Sequence, residues 1–406
     1  MSTRSYLNQN LASDNEGRQG KQSERIIRYL SKSSAAVTIP NLASHIKISI
    51  PTITKLLNEL IKKRLVVAEG KKKTVNGRQP ALYSLAKDRF YAVGAEVLLK
   101  RVQVTIINLN YKSEFSVSDK TFILENTYEC CDRVIEFVDS AIEQSGVQRG
   151  HILGVGVGLT GRVNSQTGRS FNFFNFGDRP VADYLASKLG FPVCIDNDTR
   201  AIGLAEQVIG AYRQSGNTLI LNIGRGIGMS MISNRKIIVG ASGFAGELGH
   251  MQFAGNRGRL CICGKKGCLD TEVSGKALET DLAEAIAAGD LSSVFNDDNI
   301  SGVRYDDIIE AANNGDQLSL SLLQAQGEKL GTALGNIINL LNPEIIVVSG
   351  KYSRVGEFFL DSVRYGLHRT ALKDTLSGCV LTSSQVASQA GAIGAASLVF
   401  RRYELV

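Results

Sequence analysis

The 406 residues carry 43% hydrophobic and 21% charged side chains, an ordinary balance for a soluble globular protein and too long a chain for one core, so two or three domains are expected. No apolar run reaches the length of a membrane span, and the polar start MSTRSYLNQNLASDNEG has no apolar signal region, which predicts a cytosolic chain without membrane contact. The net charge of +7 is unevenly placed: residues 1–90 hold 17 Lys+Arg against 6 Asp+Glu, and the remainder 29 against 33. A basic head on a mildly acidic body is the electrostatic pattern of a DNA-binding module joined to something else.

After a polar arm over residues 1–20, expected to be flexible, residues 21–88 read as a winged helix-turn-helix. Ser23 is placed to cap a helix with an apolar stripe of Ile26, Ile27 and Leu30. Thr38 can cap a second helix carrying Leu42, Ala43 and Ile46. A turn at Ile48–Ser49 leads to a third helix opening near Pro51, a residue favoured at the first helical position. Ile53, Leu56, Leu57, Leu60 and Ile61 share one face of it. The other face offers Thr52, Thr54, Lys55 and Asn58, short polar groups suited to base edges and phosphates in a major groove. Leu65–Val67 and Leu82–Leu85 predict a hairpin whose tip (Lys71, Lys72, Lys73, Asn76, Gly77, Arg78) is basic, a wing placed for backbone or minor-groove contact. Apolar stripes alone would equally fit a dimerisation bundle. Basic tip, helix order and segment charge together favour double-stranded DNA.

From Tyr91 the texture changes. YAVGAEVLLKRVQVTIINLN alternates and predicts two strands with a tight turn near Lys100–Arg101. A helix is expected from Tyr128 to about Ser145, then a nearly all-apolar strand HILGVGVG ending in the turn LTGRVN. Strand PVCIDND runs into helix TRAIGLAEQVIG. NTLILNIGRGIGMSMIS predicts two strands around a glycine turn, Leu318 to Leu341 a long helix, EIIVVSG a buried strand and GAIGAASLVF an apolar final helix. A hairpin followed by alternating helices and strands, given twice, predicts two α/β lobes: residues 89–200, with a C-terminal helix at about 388–402 returning to them, and residues 201–387. A pocket is expected between such lobes.

The stretch HMQFAGNRGRLCICGKKGC within the second lobe holds His250, Cys261, Cys263 and Cys268. Three thiolates and one imidazole match the ligand set of a closed tetrahedral structural zinc site, and the glycines at 264 and 267 permit the tight wrap. An odd count of seven cysteines in a reducing cytosol points to metal rather than disulfide. Cys130, Cys131, Cys194 and Cys379 read as plain core or helix residues. His250 also closes GFAGELGH, so the metal would anchor one wall of a glycine-rich pocket bearing Glu247.

IDND at 195–198, GRGIG at 224–228, GASGFAGELGH at 240–250 and CICGKKGC followed by Leu-Asp together resemble the ROK family of repressors, open reading frames and sugar kinases, from about residue 91 to the C-terminus. With the head included, the chain is similar to the repressor branch of the N-acetylglucosamine and xylose repressors. The resemblance implies a two-lobed actin-like, hexokinase-like fold with structural zinc. It also implies a sugar site at Asn197, Asp198, Glu247, His250 and Asp270, with Asp198 at the kinase base position and His250 shared between zinc and sugar. The family usually has Glu where Asp270 stands, one methylene longer. Kinases of the family open with Asp-x-Gly-Gly-Thr, whose amides cradle phosphate; the matching segment here, Val93 to Leu99, keeps one glycine and no Thr, and Glu96 would place negative charge there. The second phosphate loop has Arg225 between Gly224 and Gly226. Loss of both loops implies no phosphoryl transfer, leaving Asp198 a vestigial base. The expected function is a sugar-responsive, DNA-binding repressor of carbohydrate metabolism, acting as a homodimer or homotetramer. A sugar kinase with a DNA-binding head, or a DNA-binding protein whose body is only a dimerisation or docking scaffold, are the alternatives.

Overall fold

The computed structural model describes residues 18–33, 35–71, 80–177, 179–386 and 388–405. The chain divides into two compact units, one running through Ala201 and resuming at Gln389, the other spanning Ile202–Ser388.

The first unit opens with α1 (Arg18–Lys32), β1 (Val37–Thr38), α2 (Ile39–Ile46), α3 (Ile50–Lys62), β2 (Val66–Lys71) and β3 (Ala81–Leu85). The Thr38 hydroxyl accepts from the Asn41 N–H at 3.4 Å and so caps α2, satisfying a donor that the first turn leaves open. Lys47 ends α2 in the left-handed region. Ser23 does not cap: α1 already runs from Arg18, and Ser23 is buried inside it. Ile26, Ile27 and Leu30 of α1, Leu42 of α2 and Ile53, Leu56, Leu57 and Leu60 of α3 are all buried. The three strands form a small antiparallel sheet in the order β1-β3-β2. The polar arm through residue 17 and the hairpin tip with Lys72, Lys73 and Arg78 lie outside the described residues.

A five-stranded sheet follows in the order β10-β7-β4-β5-β6, built from β4 (Tyr91–Leu98), β5 (Arg101–Asn108), β6 (Ser113–Asp119), β7 (Ile152–Leu159) and β10 (Val193–Asn197). β4 and β5 pair antiparallel from Tyr91↔Asn108 to Leu98↔Arg101, so the turn is Leu99–Lys100, one residue earlier than the sequence suggested. β7 is parallel to both β4 and β10. The remaining elements are α4 (Tyr128–Ser145), the two-stranded β8 (Val163–Asn164) and β9 (Arg169–Ser170), α5 (Val181–Leu189), the start of α6 (Asp198–Ile209) and the returning α12 (Ala390–Arg402). The core on one sheet face joins Val93, Ala95 and Val97 of β4 to Val134 and Val138 of α4 and Leu185 of α5.

On the other face α12 lies at backbone distance from the strands. A methyl on Gly94 would sit 1.8 Å from the Ala392 carbonyl oxygen, and one on Gly156 would sit 1.8 Å from that of Ala395. Only glycine permits this approach.

The second unit repeats the theme: β13-β12-β11-β14-β15, from β11 (Thr218–Ile223), β12 (Ile227–Ser233), β13 (Lys236–Ile237), β14 (Ile345–Gly350) and β15 (Val380–Ser383). β11, β14 and β15 run parallel. Its helices are α7 (Gly275–Ala287), α8 (Tyr305–Asn313), α9 (Gln317–Leu341), α10 (Glu357–Thr370) and α11 (Lys373–Ser377). Gly327, Gly331 and Gly335, at helical spacing on α9, let α10 approach closely: a Cβ on Gly331 would meet the Val363 carbonyl oxygen at 2.0 Å. Among the described residues no helix is long and apolar enough to cross a membrane.

These contacts set an expectation that separates close packing from glycine content. Gly156→Ala, which drives a Cβ into backbone, destabilises the chain by roughly 3 kcal/mol. Gly150→Ala, with nothing within 4 Å of the added methyl, is neutral or stabilising by up to about 1 kcal/mol. Urea unfolding of both variants checks this.

Candidate functional site

In the first unit the junction between β10 and α6 gathers polar groups that the surrounding core would not otherwise tolerate. Asn197 ends the strand. Its Oδ1 accepts from the Thr199 and Arg200 N–H groups at 3.0 and 3.2 Å and so caps α6, while its Nδ2 donates to the Gly161 carbonyl and to Asp198 Oδ1, each at 2.9 Å. Asp198 also accepts from the Thr199 N–H at 2.7 Å. Burial pushes its carboxyl up to about 6, against the opposing pull of Thr199, the Thr160 hydroxyl, the Arg200 charge and Asn197. Asp196 plays a different part, accepting from the Asn197 N–H at 2.8 Å and pairing with Arg200 at 2.6 Å, both side chains buried. Arg200 in turn donates to the Val163 carbonyl at 2.8 Å. Asp196 and Asn197 brace the strand-to-helix turn, and Asp198, which accepts from Asn197 Nδ2 and the Thr199 N–H, belongs to the same network.

Glu96 of β4 is the second buried carboxylate here. It does not stand open toward a loop: Arg101 donates to it from the far side of the hairpin turn. Burial is the largest effect raising its carboxyl, the Arg101 charge opposes it, and the negative charge of Asp198 adds to the rise.

The second unit holds Glu247, His250, Asp270 and the three cysteines. His250 Nδ1 lies 3.6 Å from Cys261 Sγ, Cys263 Sγ lies 3.6 Å from Cys268 Sγ, and the four ligand atoms are all within 4.8 Å of one another. These four residues can hold a metal ion. Gly264 and Gly267 both take positive φ in the wrap. The other imidazole nitrogen, Nε2, is 4.0 Å from Glu247 Oε2, so the ring faces the cysteines with one nitrogen and the Glu247 carboxylate with the other. Asp270 Oδ1 accepts from the Ile227 N–H at 2.8 Å, which ties the carboxylate to the GRGIG loop. In that loop the Gly224 and Arg225 carbonyls accept from the first two N–H groups of α7, Gly275 and Lys276, at 2.7 and 3.0 Å. Arg225 lies 3.8 Å from Glu279.

In the head, Lys55 and Asn58 are exposed on α3 and Thr52 and Thr54 are half-buried. Both threonine hydroxyls have local partners, Ser49 at 2.8 Å and the Ile50 carbonyl at 2.9 Å. The side chain of Lys71 at the end of β2 lies outside the described residues.

Thr160, Asn172, Asp196 and Arg200 were not singled out from the sequence. Asn172 Oδ1 accepts from the Arg162 N–H at 2.9 Å and so braces the loop whose Gly161 carbonyl holds Asn197. The turn LTGRVN signalled that loop but not its partners.

The ROK family pattern matches residues 101–402. The chain is 25% identical to the xylose repressor of Caldicellulosiruptor bescii over 350 residues, 86% of this chain and 88% of that one. It is 30% identical to a glucokinase of Halalkalibacterium halodurans over 269 residues, 66% of this chain and 82% of that one. A crystal structure of a ROK family transcriptional regulator, homolog of the E. coli MLC protein, superimposes with a TM-score of 0.79 at 24% identity and covers 96% of this chain and 98% of that one.

Asp198 carries a pH signature. Its folded-state pKa, about 6, lies above the ordinary 3.8, so below pH ~4 the group is protonated folded or unfolded and contributes no difference. As pH rises from ~4 to ~6 the unfolded carboxyl ionises while the folded one stays protonated, so stability is lost across that window and the loss is complete once both are ionised. A carboxyl raised from 3.8 to about 6 corresponds to roughly 3 kcal/mol. Asp198→Asn removes the titration, so its stability relative to wild type rises by up to about 3 kcal/mol between pH ~4 and pH ~7. Urea unfolding at both pH values measures it; a constant difference would contradict the burial argument.

Proposed function

The chain belongs to the ROK family, and from that premise we propose that it is a sugar-responsive, DNA-binding transcriptional repressor of carbohydrate metabolism. One observation carries the reading: a head of three helices and an antiparallel hairpin precedes the family fold, with Lys55 and Asn58 exposed on the third helix. Helix, turn and helix followed by a basic hairpin make a winged helix-turn-helix. α3 enters the major groove with Thr52, Thr54, Lys55 and Asn58 toward it, and Lys71, Lys72, Lys73 and Arg78 of the wing contact the phosphate backbone. The repressor name of the Caldicellulosiruptor relative, which aligns over 86% of this chain, supports it. A homodimer or homotetramer would present paired heads to two half-sites.

The ligand is a sugar, held by Asn197, Asp198, Glu247, His250 and Asp270. Asp198 accepts a hydrogen bond from a sugar hydroxyl rather than abstracting its proton. Several features weigh against the kinase reading that the glucokinase relative raises. The β4–β5 turn has no glycine, Glu96 and Arg101 neutralise each other inside the hairpin, and the first N–H groups of α7 are taken by the carbonyls of the GRG loop rather than left for phosphate.

The metal is structural zinc, held by His250, Cys261, Cys263 and Cys268. A tetrahedral ion bound by sulfur and nitrogen at about 2.0–2.3 Å spaces its ligand atoms about 3.6–3.8 Å apart. The two 3.6 Å contacts fit that edge length. Zinc there supplies no chemistry; it fixes the His250 tautomer and ring so that Nε2 is presented to ligand beside Glu247.

Two measurements test the proposal. Metal analysis is expected to find one zinc per chain, lost in Cys263→Ser; a full complement in that variant removes the ligand set. Binding to duplex DNA selected from a random pool is expected to weaken with salt, and Lys55→Ala to lower the log–log slope by about one unit. A chain truncated before residue 89 that binds the same duplex equally well would show that the head is not the reader.

A further inference from the structure

Resting on the sugar-binding reading above, we infer that Glu96 and Asp198 make this site select a free sugar and reject the same sugar phosphorylated at the hydroxyl that Asp198 holds.

The two carboxylates are buried in one unit, 3% and 9% exposed. Glu96 is paired across the sheet with Gly158, and a Cβ on Gly158 would lie 3.8 Å from Asp198 Cα, so the two belong to one neighbourhood. Asp196, also buried, is a third. Two guanidinium groups face them, and both are engaged: Arg101 donates to Glu96, and Arg200 pairs with Asp196 while donating to the Val163 carbonyl. With every group ionised the cluster carries three negative charges against two positive. The surplus resides at Asp198, which feels the Arg200 charge only as shared with Asp196.

The strand amides give no relief. β4 and β5 are paired residue for residue up to Leu98↔Arg101, so the turn Leu99–Lys100 leaves no run of free N–H groups of the kind that cradles phosphate. Packing fixes the arrangement. A methyl on Gly391 would lie 1.9 Å from Glu96 Oε1, so α12 presses on the carboxylate and holds it where it is.

A hydroxyl brings Asp198 a proton to accept. Phosphorylating that oxygen removes the donor and sets a dianion beside the surplus negative charge. The site must then bear like-charge repulsion in a low-dielectric setting or take up a proton to relieve it, and either route costs affinity. Discrimination of this kind comes from a repulsive element, not from an added contact.

Isothermal titration of the full chain with matched pairs tests the inference: glucose and glucose 6-phosphate, N-acetylglucosamine and its 6-phosphate. Within the pair that binds, the free sugar is expected to be at least about tenfold tighter, equivalent to about 1.4 kcal/mol. Glu96→Gln, which removes one charge and keeps the shape, is expected to narrow the gap several-fold by strengthening the phosphorylated member, whereas Glu96→Asp keeps the gap. A phosphorylated sugar that binds the wild type as tightly as its free partner overturns the inference, and that comparison needs no variant to fold. Absence of binding by every free sugar and every phosphate contradicts the sugar-responsive reading itself, and this inference falls with it.

Discussion

The contact of α12 with the sheet at backbone distance is the constraint on which the rest of the first unit depends. Gly94 on β4 and Gly156 on β7 let the Ala392 and Ala395 carbonyls approach to where a side chain would otherwise stand. Cores are close-packed, so a helix seated this deeply has little freedom to shift independently of the strands beneath it. Three consequences follow along its length. At its start, Gly391 accommodates the Glu96 carboxylate; in its middle, Gly394 accommodates the Ala201 carbonyl one turn into the helix that begins at Asp198. At its end, Arg402 donates to the Val193 carbonyl at 3.0 Å, Tyr403 to that of Leu153 at 3.3 Å, and Glu404 pairs with Arg28 of α1 at 3.0 Å. α12 thus packs on the carboxylate site, and the residues just past its end reach the head. An exposed ion pair such as Arg28–Glu404 contributes little to stability by itself. Its interest lies in where it sits, beside Leu405, which is buried at the end of the chain.

The two sites differ in how they hold charge. The Glu96–Asp198 cluster keeps carboxylates in a buried setting by pairing most of them with guanidinium groups, and accepts one that is raised to about 6. The cysteine cluster brings soft ligands together on a glycine-rich wrap and lets the second nitrogen of His250 face Glu247. The first is a set of buried carboxylates and guanidinium groups, and the second sets an imidazole between thiols and a carboxylate.

Much of this was legible in the sequence, and what escaped notice has a physical cause. Helices such as Tyr128–Ser145 and the strand Ile345–Gly350 announced themselves through apolar periodicity and length. The start of α1 did not, because RQGKQ bears no apolar stripe, and Ser23 consequently read as a cap when it packs inward. The Glu96–Arg101 pair became visible only once the turn was placed at Leu99–Lys100, which sets Arg101 diagonally across the ladder from Glu96. The Asp196–Arg200 pair bridges a strand end and a helix, where neither period applies. The alternating glycines of GVGVG read as an apolar strand; their role emerged from the helix laid over them, which lies some 240 residues away in the chain.

If a sugar acts on the head, α12 and the residues that follow it are the packed element that joins the two. A ligand acts on a distant surface only by favouring one of two arrangements of such an element. Hydrogen exchange of the full chain, with and without a sugar that binds it, reads this coupling. Protection of α12 and of α1 at residues 18–32 is expected to change together with that around Asp198. A change confined to the Asp198 region, with α1 and α12 exchanging at their ligand-free rates, would contradict it.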